Sequence, residues 1–165
     1  MDGVIALADG IKNNGALTSL DISGNSIGVL VPPEGWTKHT GWNDNLRVGS
    51  DGWYKHTDGR EQKEDPGSKP EGAIAIANAI PTMGALVSAN LINNNIGVEQ
   101  AHNLATILKE HASLKSLCGN KGDETVLDMS GKYMGTDGAI MLAPEIVANG
   151  ALETITFGDN QAVTM

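Results

Sequence analysis

The chain has 165 residues, 40% of them apolar, and carries 11 Lys and Arg against 20 Asp and Glu for a formal net charge of −9. That length suits one domain with a core, while no stretch approaches the roughly 18 uninterrupted apolar residues of a membrane-spanning helix. An acidic balance repels phosphate backbones, so nucleic acid is not an expected partner, and the single cysteine, Cys118, excludes an internal disulfide and a Cys-rich zinc cluster. The opening Met1-Asp2-Gly3-Val4 has no basic stretch ahead of its short Ala-rich run, so no retained signal peptide is expected. These features predict a soluble chain without direct membrane insertion, compatible with a reducing compartment, cytoplasmic or organellar.

Val4, Leu7, Ala8 and Ile11 recur at helical spacing and predict a first helix. The segment Leu17-Thr-Ser-Leu20-Asp-Ile22-Ser-Gly-Asn25-Ser-Ile27-Gly28 then alternates at Leu20 and Ile22, as a short strand does. Asn25 follows, with an amide able to bond backbone groups where regular ladder partners run out. After residues 30–70, the same order returns: an Ala-rich helical pattern from Gly72 to Leu86, then Ala89, Leu91, Asn94, Ile96 and Gly97. A third helical pattern runs from Gln100 to Leu114, with Leu104, Ile107 and Leu108 on one stripe. A fourth spans Gly138 to Leu152, followed by Ile155, Phe157 and Asn160. Pro81 and Pro144 fall within helical segments and should shorten or kink them.

The closing leucines Leu17, Leu86, Leu114 and Leu152 are 69, 28 and 38 residues apart, which is a 28-residue unit interrupted by insertions of 41 and 10 residues. The pattern Leu-x-x-Leu-x-Ile-x-x-Asn-x-Ile-Gly followed by an Ala-rich helix resembles the leucine-rich repeat of the ribonuclease-inhibitor type. That resemblance implies an α/β fold, a right-handed solenoid with parallel strands on the concave face and helices on the convex face. It assigns residues 1–29 and 71–165 to the solenoid and residues 30–70 to an insertion between strand and helix of the first repeat. Lys132 departs from the pattern, standing where the turn Asn belongs, and the ten-residue insertion between Leu117 and Leu127 fits either a hairpin or a bulged connection. In such a solenoid Ser19, Asp21, Ser23, Ser88, Asn90, Ile92, Ser116, Cys118, Asp128, Ser130, Thr154 and Thr156 point out from the concave sheet. This face is small and polar without aromatic or Arg anchors, and Asp21, Asn90 and Asp128 are its candidate partner contacts.

Residues 30–70 differ in composition: they hold Trp36, Trp42, Trp53 and Tyr54, with 6 basic against 7 acidic side chains. An echo, Gly35-Trp-Thr-Lys-His-Thr40 against Gly52-Trp-Tyr-Lys-His-Thr57, predicts two aromatic strands forming a hairpin. The insertion also weakly resembles a WW domain, through Pro32-Pro33-Glu34-Gly35-Trp36, His56 with Gly59, and Asp65-Pro66. The position matching that family's ligand-stacking Trp is Lys63, so binding of Pro-rich peptides is not implied.

No metalloprotease helix, phosphate-binding Gly-rich loop or calcium loop is present in the sequence. His102 and His111 are nine residues apart on one predicted helix and face opposite ways. Catalytic, cofactor-binding and metal-binding residues are therefore not expected, and the chain is not read as an enzyme. The expected function is a non-catalytic protein-binding or scaffold module whose protein partner meets Trp36, Trp42, Trp53 and Tyr54. The alternative is an accessory structural subunit embedded in a larger multi-subunit assembly through solenoid ends that lack the polar caps a repeat array needs.

Overall fold

The computed structural model describes residues 2–28, 34–38, 42–43, 48–49, 54–57, 59–62 and 70–160. In chain order they form α1 (Asp2–Ile11), β1 (Ser19–Asp21), β2 (Trp36–Lys38), β3 (Trp42–Asn43), β4 (Val48–Gly49), β5 (Tyr54–His56), β6 (Glu61–Gln62), α2 (Glu71–Ala79), β7 (Ser88–Asn90), α3 (Val98–Glu110), β8 (Val126–Asp128), α4 (Gly135–Ala148) and β9 (Thr154–Thr156). The chain divides into two compact units, Met1–Val29 with Glu71–Met165, and Leu30–Pro70.

In the larger unit each helical pattern becomes a helix and each alternating segment a three-residue strand or a strand-like stretch. Burial follows the period: Ile76, Leu86, Leu91, Ile96, Leu104, Leu117, Met129, Met141 and Leu142 are all at most 2% exposed and form one core. Ala73, Ala77 and Ala101 are buried beside them, and so small a side chain lets the helix backbone lie close to the strands. Pro81 falls in a single 3-10 turn, Ile80–Thr82, that ends α2, whereas Pro144 sits inside α4.

A continuous solenoid is not what these residues build. The described parallel strands fall into two separate two-stranded sheets, β1 with β7 and β8 with β9, beside four helices. The architecture is mixed α/β, and the expected right-handed solenoid with one concave sheet is corrected on that ground. The ladder does extend past β7, where Ser88 bridges Ser116 in parallel and Ala89 N–H donates to Ser116 O at 2.9 Å. It then breaks. Between Cys118 and Val126 the chain forms neither hairpin nor strand, and Glu124 closes it locally by accepting from the amides of Lys121 and Gly122 at 2.6 and 2.9 Å.

The turns after the strands share one backbone shape. Gly24, Asn93, Gly131 and Asp159 have φ of +70°, +58°, +65° and +54°, each one residue before the turn position occupied by Asn25, Asn94, Lys132 or Asn160. One residue after it, Ser26, Asn95 and Tyr133 have φ of +53°, +51° and +51°. Gly, Asn and Asp at the earlier position tolerate this left-handed conformation at little cost. The turn amides then tie neighbours together. Asn94, 1% exposed, donates through Nδ2 to Ile22 O at 2.9 Å and Leu91 O at 3.0 Å, and its Oδ1 accepts from Asn25 N at 2.8 Å and Ile27 N at 3.4 Å. Asn160 repeats the pattern, donating to Met129 O at 2.8 Å and Phe157 O at 3.1 Å and accepting from Met134 N at 3.4 Å.

In the smaller unit β2, β5 and β6 form a three-stranded antiparallel sheet, and β3 pairs with β4. The two echoed segments are antiparallel neighbours, with Trp36 opposite His56 and Lys38 opposite Tyr54. Trp53 lies outside the described residues.

Two substitutions measure what holds the turns. A Cβ built on Gly28 would lie 1.9 Å from Asn95 O, so Gly28→Ala should cost about 3 kcal/mol, the upper end for overpacking, because backbone has to move. Asn94→Ala leaves buried main-chain donors and acceptors unpaired and should cost about 3 kcal/mol in chemical denaturation. An Asn94→Ala variant as stable as the parent would remove the turn amide from the account.

Candidate functional site

Beside the break in the ladder lies a polar groove of about 390 Å³. Ser23, Asn90 and Asn93 line one side, Cys118, Gly119 and Asn120 the floor, and Asp128, Met129, Lys132 and Tyr133 the other side. The strand register explains the first part of this row. Asp21 is directly beside Asn90 across β1 and β7, and Asn90 bridges Cys118 in the next segment.

The three strand-borne candidates are held in place. Asn90 Nδ2 donates to Asp21 Oδ2 at 3.2 Å, and Asp21 Oδ1 accepts from Ser23 N at 3.0 Å and Ser23 Oγ at 2.8 Å. The Ser23 bonds, and more weakly Asn90, hold the Asp21 carboxyl below its ordinary range. Asp128 Oδ1 accepts from Ser130 N at 2.9 Å, and Ser130 together with the Lys132 charge likewise lowers its carboxyl. Asp21 and Asp128 are therefore fixed anions at neutral pH. Both are exposed and Asn90 is half-buried, as a contact surface requires.

Under the floor lies a buried carboxylate. Glu145 of α4 is 5% exposed and accepts four donors: Ser116 Oγ at 2.9 Å, Leu117 N at 2.6 Å, Cys118 N at 3.0 Å and Asn120 Nδ2 at 2.8 Å. In a regular strand consecutive amides face opposite neighbours, so one carboxylate taking both the Leu117 and the Cys118 N–H marks where strand geometry ends. Burial raises the Glu145 carboxyl above its ordinary value, and the hydrogen bonds only partly offset that effect. Cys118 is pushed well up, first by its own burial and then by the Glu145 charge and hydrogen bond, so a reactive thiolate is disfavoured there. Ser116, Cys118 and Ile92 were expected to point out from an open sheet face; all three are buried, and Ser116 Oγ and Cys118 N are turned to the buried Glu145.

Tyr133 was missed. It is 55% exposed at the groove rim, and its left-handed φ of +51° is costly for a bulky residue. The face thus carries an exposed aromatic after all, supplied by the turn and not by a strand. Its sequence signal was the departure at Lys132, one position earlier, where only the Asn was missing and the turn shape was kept.

Of the other candidates, Trp36 and Trp42 start β2 and β3 and Tyr54 starts β5, all in the smaller unit. His102 is on α3, but His111 lies just past its end, where Nδ1 accepts from the amides of Ser113 and Leu114 at 3.3 and 3.1 Å. Among the described residues no group of three or more His, Cys, Asp or Glu is placed to hold a metal ion, and no helix is long and apolar enough to cross a membrane. No known protein family, curated protein or solved structure matches the chain.

Glu145 yields a pH signature. Its native carboxyl titrates above the ordinary 4.5, so the native state binds more protons than the unfolded chain between the two values. The stability it contributes is fully present below 4.5 and falls as pH rises through the native value. Glu145→Gln should retain the fold and lose this part of the slope in a stability-versus-pH series. Glu145→Ala, which strands the Leu117 and Cys118 amides, should cost about 3 kcal/mol at neutral pH.

Proposed function

We propose that the chain is a non-catalytic protein-binding module and that its partner meets the groove between β7 and β8. The observation that carries this reading is Tyr133, an exposed aromatic held in a strained turn at the rim of a row of fixed polar groups. Exposed Tyr is enriched among the residues that dominate binding energy, and a preorganised row lowers the ordering cost of association. Asp21 and Asn90 extend the contact on one side, and Asp128 on the other. In the same reading Trp36, Trp42, Trp53 and Tyr54 supply a separate contact on the smaller unit.

A photo-crosslinking side chain placed at Tyr133 should yield a specific protein adduct in extract, whereas one at Val147, an 88% exposed residue on α4, should not. Tyr133→Ala should weaken capture of that partner at least tenfold, about 1.4 kcal/mol. Equal adducts from both positions, or unchanged capture by Tyr133→Ala, would defeat the assignment of the groove.

A further inference from the structure

We infer that the groove takes its partner as an added β-strand, an extended and uncharged segment that pairs main chain to main chain with the open edge of β8. This rests on the groove being a protein-binding surface and specifies how binding occurs. The register of β8 carries the argument. Thr154 N–H donates to Thr125 O at 3.0 Å, and Met129 N–H donates to Thr156 O at 2.8 Å. Main-chain groups alternate sides along a strand, so Thr125, Leu127 and Met129 face β9 while Val126 and Asp128 face the opposite edge.

Among the described residues that edge has no strand beside it. The segment that would pair with it has turned its Leu117 and Cys118 amides to Glu145 instead. Asp128 and Met129 therefore line the groove from one side, next to the floor of Cys118, Gly119 and Asn120. The volume of about 390 Å³ lies within the roughly 300–1,000 Å³ of ligand pockets. A strand edge with free N–H and C=O groups is a template for another chain, and peptide recognition by strand addition draws its affinity from those groups.

The lining sets the chemistry of the occupant. Asp128 and Lys132 offset each other's charge, and the remaining walls are amides, Ser23, glycines, Cys118, Ile92 and Met129. Within the lining itself a charged side chain would find no uncompensated counter-charge; the nearest one, Asp21, lies behind Asn90 and outside the groove. Gly131, around which a Cβ would meet nothing within 4 Å, leaves room for a small side chain, and Tyr133 offers a ring to one flanking residue.

The test is selection of a random nine-residue peptide library, displayed on phage, against the full chain. Uncharged sequences should be enriched, and N-methylation of alternate peptide amides should weaken them at least tenfold. Val126→Pro should do the same while keeping the parent melting temperature, because the Val126 amide is not used within β8–β9 and proline is tolerated at the first residue of an edge strand. Val126→Ala, which keeps the amide, should bind like the parent. Bound peptides should also slow amide exchange at Val126 and Asp128. Failure to select any peptide, indifference to N-methylation, or selection of charged peptides with steep salt dependence would overturn strand addition. Peptides lost on Tyr133→Ala but indifferent to Val126→Pro and to N-methylation would leave the groove as the partner site and remove only the strand pairing.

Discussion

Asp137 and Glu145, two carboxylates eight residues apart on α4, close hydrogen bonds that regular strand and turn neighbours would otherwise close. Glu145 takes the Leu117 and Cys118 amides. Asp137 Oδ2 accepts from Ile96 N at 2.7 Å, the bond that the turn amide of the following repeat makes to Ile27 and to Met134 elsewhere. That following repeat carries Lys132, which cannot accept. Met141 and Leu142, between the two acids, are buried in the core. One helix thus packs the interior through its apolar side chains and satisfies the break in the ladder through its acids.

The groove follows from the same constraint. With its outer amides bonded to a side chain, the segment after Leu114 cannot extend the sheet to β8, and the space between them opens to solvent. The turn at Gly131 and Tyr133 keeps the left-handed shape of its counterparts without their Asn, so Tyr133 is presented by backbone geometry. Strain of this kind, of order 1–3 kcal/mol, persists only when surrounding structure over-determines it. Here the neighbouring Asn160, bonded to Met129 and Met134, holds the turn from the other side.

The helices, the short strands and the role of the turn amides were readable because each rests on local period and local chemistry. Leu104 and Leu108, or Leu20 and Ile22, report their burial through spacing alone. The continuity of the sheet was not readable, because it depends on whether two strands far apart in sequence meet, and Glu145 decides that from a helix position that looks like ordinary surface. Asp21, Asn90 and Asp128 were singled out by alternation alone, and in the structure Asn90 and Asp128 line one groove, with Asp21 bonded to Asn90. Tyr133 escaped because no rule of strand alternation reaches into a turn, although the anomaly at Lys132 marked the spot.

The pattern of cross-links also says where the larger unit yields. Asn94 and Asn160 stitch each strand pair internally with several bonds apiece, while across the seam near residue 118 the polar ties come chiefly from Asp137 and Glu145. Cooperative blocks in a native protein part where their mutual contacts are sparsest, and here that is the strand side alone: α3 packs on α4 more extensively than any other two described elements meet, so breathing at the seam would open the strands near residue 118 and leave the helices together.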